Sequence, residues 1–276
     1  MQKIFFGLLI MIGALNLNAQ NVVHDANAQV RNVGSFSKIR VSSAISLYLS
    51  QGSTQAVAVS SEDQDVTNRI KTEVSNGTLK IYVENGAWNG WNWGNKHLRA
   101  YVTFTTLEAL DASGACNVQL TDPITVNDFK LELSGASNMD GTIKGSDIKF
   151  ELSGASNAKL NITASSFNVS QSGASNYKGK LSTPKADFDI SGASVADIDG
   201  NADGLAVDAS GASNFKGDDL QAVNCKIEAT GASSANINVS KDIQATAGGG
   251  SSIHYSGSAS ISNVEATGGS TIKKKS

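Results

Sequence analysis

Hydrophobic and polar residues alternate through most of this chain, and a recurring glycine sets the phase of the alternation. With that glycine numbered zero, position −6 holds Phe129, Ile148, Phe167 and Leu205; position −4 holds Leu131, Phe150, Val169, Phe188, Val207, Ile227 and Val264; position −2 holds Leu133, Leu152, Ile190, Ala209 and Ala229. Apolar residues return at +4 (Val118, Met139, Tyr177, Phe215, Ile253) and at +6 (Leu120, Leu160, Ile198, Ile237, Tyr255). A period of two marks a strand with one buried face, so each repeat reads as two strand arms joined through the glycine. The glycines themselves, Gly114, Gly135, Gly154, Gly173, Gly192, Gly211, Gly231, Gly249 and Gly268, recur at a period of 19 with one-residue slips and a single 21-residue gap. So short a period predicts a solenoid, in which a coil buries its apolar face only against the coils stacked on it. The expected fold is an all-β solenoid of about 19 residues per coil over 111–276.

The glycine lies in a pentapeptide that is mostly Ser-Gly-Ala-Ser-Asn. Continued parity places the Gly and the Ser at +2 on the inward side of a corner, where small residues let the chain bend and Ser or Asn satisfies turn backbone groups. In register, Ser137, Ser156, Ser175, Ser194 and Ser213 are expected to form a hydroxyl ladder, and Asn117, Asn138, Asn157, Asn176 and Asn214 an amide ladder. The motif therefore reads as a structural corner, and a serine nucleophile repeated along a shaft would need a nearby His that the sequence does not provide.

Outward positions form a polar wall. Position −3 carries Glu132, Glu151, Ser170, Asp189, Asp208 and Glu228, with Lys130, Lys149 and Lys226 beside three of these carboxylates at −5. Around Asp187, Asp189, Asp197, Asp199, Asp203 and Asp208 no Lys intervenes in sequence, so Asp187, Asp189 and Asp208 are candidate ligands for a divalent cation such as calcium, against the alternative of a solvated acidic face. EF-hand and glycine-aspartate nonapeptide spacings are absent.

Residues 20–110 lack the repeat but keep strand patterns at Phe36 to Val41, Ile45 to Leu49, Ala56 to Val59, Leu79 to Val83 and Leu98 to Phe104, separated by Gly-containing turn signals. They are expected to cap the first coil, whose end would otherwise expose strand edges and core. All three tryptophans, Trp88, Trp91 and Trp93, fall between Asn85 and His97 amid Asn and Gly. Flat indole faces beside amides suit sugar stacking or a protein hot spot; burial of the rings within the cap is the competing expectation.

Composition narrows the function classes. Residues 1–19, with Lys3, an apolar run from Ile4 to Leu15 and a small residue before Gln20, read as a secretory signal peptide, and nothing later is apolar enough to span a bilayer. The expected location is exported: periplasm, cell surface or extracellular. A formal net charge of −3 and the lack of a basic domain argue against nucleic acid. Cys116 and Cys225 sit about five coils apart, on the order of 24 Å at ~4.8 Å per coil, so they are expected to be unpaired thiols. His24, His97 and His254 are scattered, and no phosphate loop, nucleophile elbow or metal-ligand spacing is present, so neither a catalytic residue nor a cofactor is assigned.

At this point the chain resembles a known family, the exported bacterial auto-transporter adhesins with a head GIN domain. The resemblance covers roughly Val33 to Lys273 and rests on the Phe36 to Leu49 pattern, the stretch Asn76-Gly77-Thr78-Leu79-Lys80-Ile81, the Leu107 to Val118 entry into the first corner, and the repeated Gly-Ala-Ser-Asn corners. It implies a right-handed, single-stranded parallel β-helix without an established catalytic site, and it transfers no functional residues. No membrane barrel is expected after the repeats, and self-anchoring in the auto-transporter manner is not expected. The expected protein is a non-enzymatic adhesin or envelope-associated binder of a glycan or cell-surface protein; the alternatives are a polysaccharide lyase or hydrolase, and a purely structural envelope protein.

Overall fold

A computed structural model of the chain describes residues 25–84 and 97–275. The signal peptide expected over 1–19 lies outside the described residues, as do Trp88, Trp91 and Trp93. The elements in order are β1 (Gln29–Val30), β2 (Lys38–Val41), β3 (Ser46–Gln51), β4 (Ala56–Ser60), α1 (Gln64–Arg69), β5 (Ile70–Ser75), β6 (Thr78–Val83), β7 (Arg99–Phe104), β8 (Ala109–Ala112), β9 (Asn117–Leu120), β10 (Ile124–Thr125) and β11 (Asp128–Leu133). The long coil strands follow: β12 (Asn138–Leu152), β13 (Asn157–Gln171), β14 (Asn176–Ile190), β15 (Val195–Ala209), β16 (Asn214–Ala229) and β17 (Ser234–Ala247), then β18 (Ser252–Ser256), β19 (Ser260–Ala266) and β20 (Thr271–Lys274). Together they form a β-solenoid of about nine turns, near 19 residues each, in which every long strand pairs in parallel with the next.

Up to Tyr255 the apolar residues of the inward columns at −6, −4, −2, +4 and +6 are buried as the alternation requires. The buried face also extends to +8 and +10, as with Ile162 and Ala164, before Ser165 and Ser166 both turn outward and reverse the parity at a second, open corner. Phe150, Phe167, Phe188 and Phe215 form an aromatic spine, with successive ring centroids 5.0, 5.9 and 5.1 Å apart. Core volume is conserved over two coils rather than one. A large residue at +4 accompanies Gly at +6 (Met139 and Gly141, Tyr177 and Gly179, Phe215 and Gly217), and the intervening coils carry Ala at +4 and a large residue at +6 (Ala158 and Leu160, Ala196 and Ile198). A Cβ at Gly141 would press on the Leu120 side chain of the preceding coil and one at Gly179 on the Leu160 carbonyl, so neighbouring coils interlock as a close-packed interior demands.

The sharp corner corrects one expectation. Ser at +2 is buried, but the glycine is exposed, because Gly and the following Ala form the tip of a tight turn and leave the period-two parity. All nine motif glycines have φ between 67° and 84°, the left-handed region. The turns also stack closely: Ala193 N–H donates to the Gly173 carbonyl at 2.7 Å, and a Cβ on Gly192 would sit 2.5 Å from that same oxygen. The hydroxyl row is likewise mostly not a ladder. Ser175 donates to Ser194 at 3.3 Å, whereas Ser213, Ser233 and Ser251 donate to the −2 carbonyls Ile190, Ala209 and Ala229 of the preceding coil. The amide ladder forms over Asn138, Asn157 and Asn176, each step 3.0 Å, and stops where Val195 takes the next place.

The N-terminal strands do more than cap. β2 and β3 form a coil that pairs with β6 and β7 on one side and with β8 and β9 on the other, so stacking order departs from chain order. β4 and β5 pair antiparallel to β7 and β6 and, with α1, close that end. The other end is uncovered in the described chain: β19 pairs with β17 alone and β20 with β18 alone, which leaves Val264 41% exposed although it continues the inward −4 column.

Candidate binding surfaces

Three surfaces carry chemistry. The first is the outer end of the corner row. Because β6 and β7 flank the same corner as β2 and β3, Glu84 and His97 stand at the end of the row, on either side of the tryptophan segment. The His97 end is tied firmly to the cap: His97 N–H donates to Glu62 Oε2 at 2.8 Å, and Arg99 pairs with Glu62 Oε1 at 2.8 Å. Beside them the Asp25 carboxylate accepts from the Ser60 hydroxyl and from Tyr101 Oη at 2.8 Å, and Arg99 approaches it to 3.8 Å. The Ser60 hydrogen bond holds the Asp25 carboxyl below the usual carboxylate range against the opposing effect of burial; burial and the Asp25 contact push the Tyr101 phenol up to about 12.

The second surface is the acidic column. Coil register aligns Asp111, Glu132, Glu151, Ser170, Asp189, Asp208 and Glu228 along one wall. Its first half is compensated: Arg40 bonds Asp111 at 2.7 Å, Lys130 reaches both Glu132 and Glu151, and Lys149 pairs with Glu151 at 2.9 Å. Asp189 and Asp208, directly paired across coils, have no ion-pair partner among the described residues. Partial burial first, then neighbouring carboxylates, raises the pKa of each. Asp187 stands one column over, between Asn168 and Ala206. Asp197 and Asp199 lie on the other arm, where Lys178 of the adjacent coil bonds Asp197 at 3.0 Å; the lysine that sequence order did not supply comes from stacking. Among the described residues no three His, Cys, Asp or Glu side chains gather into a metal-holding group. Cys116 and Cys225 are free and buried.

The third surface went unrecognised in the sequence. At the second corner the β2–β3 coil is incomplete, because the chain leaves the stack after Gln51 to form the cap, and the link from β7 to β8 crosses over the gap. Missing backbone is replaced by a side chain: Gln51 Oε1 accepts the Thr125 N–H and Nε2 donates to the Thr125 carbonyl, both at 2.8 Å, as a neighbouring strand would. What remains is a cleft of about 730 Å³ between Thr105–Glu108 and Thr125–Lys130, continuing along Asp147–Lys149 to Asn168. Its position follows from topology, and the only hint in the sequence is the single 21-residue spacing beside it.

Similarity to known proteins agrees with the geometry. In the described residues no helix is long and apolar enough to cross a membrane. Several solved structures share the fold, three of them as follows. One from Parabacteroides distasonis ATCC 8503, described as a putative adhesin, has a TM-score of 0.67 at 16% identity, covering 90% of this chain and 96% of the other. A putative adhesin from Parabacteroides merdae ATCC 43184 gives 0.65 at 16%, covering 90% and 95%. A putative lipid binding protein, also from Parabacteroides distasonis ATCC 8503, gives 0.61 at 20%, covering 91% and 98%. No curated protein matches the chain in sequence. Residues 35–197 and 162–259 match the family described as "Putative auto-transporter adhesin, head GIN domain", and with nearly the whole solenoid so matched the chain belongs to that family.

Proposed function

We propose that this protein is an exported, non-enzymatic adhesin or envelope-associated binding protein that engages a glycan or a cell-surface protein. The observation that carries the proposal is the register of the coils. Polar side chains are held in register across successive coils along an exposed wall, identical over three coils in the Asn138–Asn157–Asn176 ladder and mostly acidic in the column from Glu132 to Glu228, and a rigid array of this kind suits an extended partner. The firmly anchored flank of the tryptophan segment supports a role for Trp88, Trp91 and Trp93 as aromatic anchors at the head. Glycan-array and cell-surface binding by the mature protein, with loss in a Trp88→Ala/Trp91→Ala/Trp93→Ala variant, is the expected outcome. Binding to neither class of partner would overturn it, and release of unsaturated uronates from a polysaccharide would overturn its non-enzymatic half.

A further inference from the structure

We infer that the cleft at the incomplete coil is a binding site for a neutral, hydroxyl-rich ligand, a saccharide unit. The inference rests on the glycan half of the proposed function and gives it a second location, distinct from the tryptophan segment. A volume of about 730 Å³ lies within the ~300–1,000 Å³ typical of small-molecule sites. The walls are held before any ligand arrives, since Gln51 bonds Thr125 on one side and its Nε2 reaches the Thr105 carbonyl at 3.4 Å on the other. Little ordering cost is therefore left for binding.

Charge selects the ligand class. Asp128 and Asp147 are adjacent across coils at the rim, exposed, and without an ion-pair partner among the described residues. A polyanion meets these two carboxylates. Lys130 and Lys149 also face the cleft, but both are engaged by the acidic column, Lys130 with Glu132 and Glu151 and Lys149 with Glu151, so they offer no uncompensated positive charge to a polyanion. Carboxylates offer only acceptors, and the amides of Asn127 and Asn168 offer both donors and acceptors, a set that suits several hydroxyl groups on one ring. An acyl chain fits less well. Phe129 and Ile148 beneath the cleft are 2% and 0% exposed, so these two side chains offer little surface to an acyl chain.

The test is titration of the mature protein with mannotriose, triacetylchitotriose and cellotriose, followed by calorimetry and by amide shifts at Thr105–Glu108 and Asn127–Lys130. Trigalacturonate and phosphatidylcholine vesicles serve as the competing classes. Saturable binding of at least one neutral trisaccharide is expected, weakened about tenfold or more by Asp128→Ala/Asp147→Ala and by the cleft-filling Asn127→Trp. All three positions are exposed, and circular dichroism checks that the variants keep the fold. Equal binding by wild type and both cleft variants overturns the site while leaving glycan recognition standing. Preference for trigalacturonate or vesicles overturns the ligand class. Failure to bind any neutral trisaccharide, with cell-surface binding intact, overturns the inference but not the adhesive function.

Discussion

Replacing Gly192 with alanine separates two reasons for a corner glycine. The first is conformational. At φ 70° an L-residue with a Cβ is disfavoured by about 1–2 kcal/mol. Gly77 has the same φ of 70° but nothing within 4 Å of an added Cβ, so Gly77→Ala measures that contribution alone. At Gly192 the new carbon would also lie 2.5 Å from the Gly173 carbonyl oxygen, the acceptor for Ala193 N–H, so the turn must lift away from the preceding coil. Weakening that bond and the Val195 N–H to Ser175 carbonyl bond adds about 1 kcal/mol for each. The expected total is about 3–4 kcal/mol for Gly192→Ala against about 1–2 for Gly77→Ala. At about 2–4 °C per kcal/mol for a chain of this size, Tm should fall by roughly 6–16 °C and 2–8 °C respectively. Gly268→Ala, with 3.1 Å to the Gly249 oxygen, should fall between the two. Thermal unfolding by circular dichroism gives the order, and hydrogen exchange at the 190–195 amides shows whether the loss is centred on the corner. Equal losses at Gly77 and Gly192 would refute the claim that coil contact, beyond backbone angle, fixes glycine in the motif.

Asp25 should loosen the N-terminal strand in acid. Its folded pKa is lowered, so its contribution is complete above the ordinary carboxylate value and is lost as pH falls through the folded one; exchange at Gln29 and Val30 should quicken there, and Asp25→Asn should abolish the pH step. Asp208 has the opposite sign: its raised folded pKa means that the folded carboxylate is penalised at neutral pH and relieved in acid. Asp208→Asn should therefore stabilise the protein at neutral pH by less than ~1 kcal/mol, with the gain shrinking in salt and vanishing at low pH in urea titrations. Burial pushes the Cys225 thiol up to about 12, and Cys116 is raised as well, so both should resist a thiol-titrating disulfide reagent in the folded protein and react together once it is unfolded.

The coil columns were legible because period-two alternation reports burial directly, and Phe150 or Ile227 has no alternative face to occupy. The corner glycine was misplaced for a physical reason: parity does not survive a two-residue turn tip, so extrapolating it from −2 to zero turned Gly192 inward. Ser213 was correctly placed inside, but its hydrogen-bond partner was not, because a strand-end carbonyl of the preceding coil is nearer than the next hydroxyl. The two-coil alternation of Tyr177 and Gly179 with Ala196 and Ile198 was present in the sequence, yet it becomes visible only when +4 and +6 are read as one volume. Lys178 beside Asp197 shows a similar limit, since residues 19 positions apart are neighbours in a solenoid.

The cleft depends on the one feature that no repeat could report, the order in which the first coils stack. Gln119 pairs with Asp140 and Ile124 with Ile143, so the two residues beyond the 19-residue period fall between them, at Leu120–Pro123. That detour lies against the end of β3, where Thr121 N–H donates to the Leu49 carbonyl at 3.0 Å just before the chain leaves the stack at Gln51. Each later coil has a complete neighbour on which to lay its second corner, and its spacing stays within one residue of 19. The long spacing and the cleft thus share a cause. An insertion into a solenoid is tolerated where the adjacent coil is missing backbone, and the same missing backbone leaves a recess with polar side chains at its rim. In other chains built on this head, the repeat spacing that breaks the period should mark the same recess, and its lining, rather than the corner motif, is where differences in ligand should be sought.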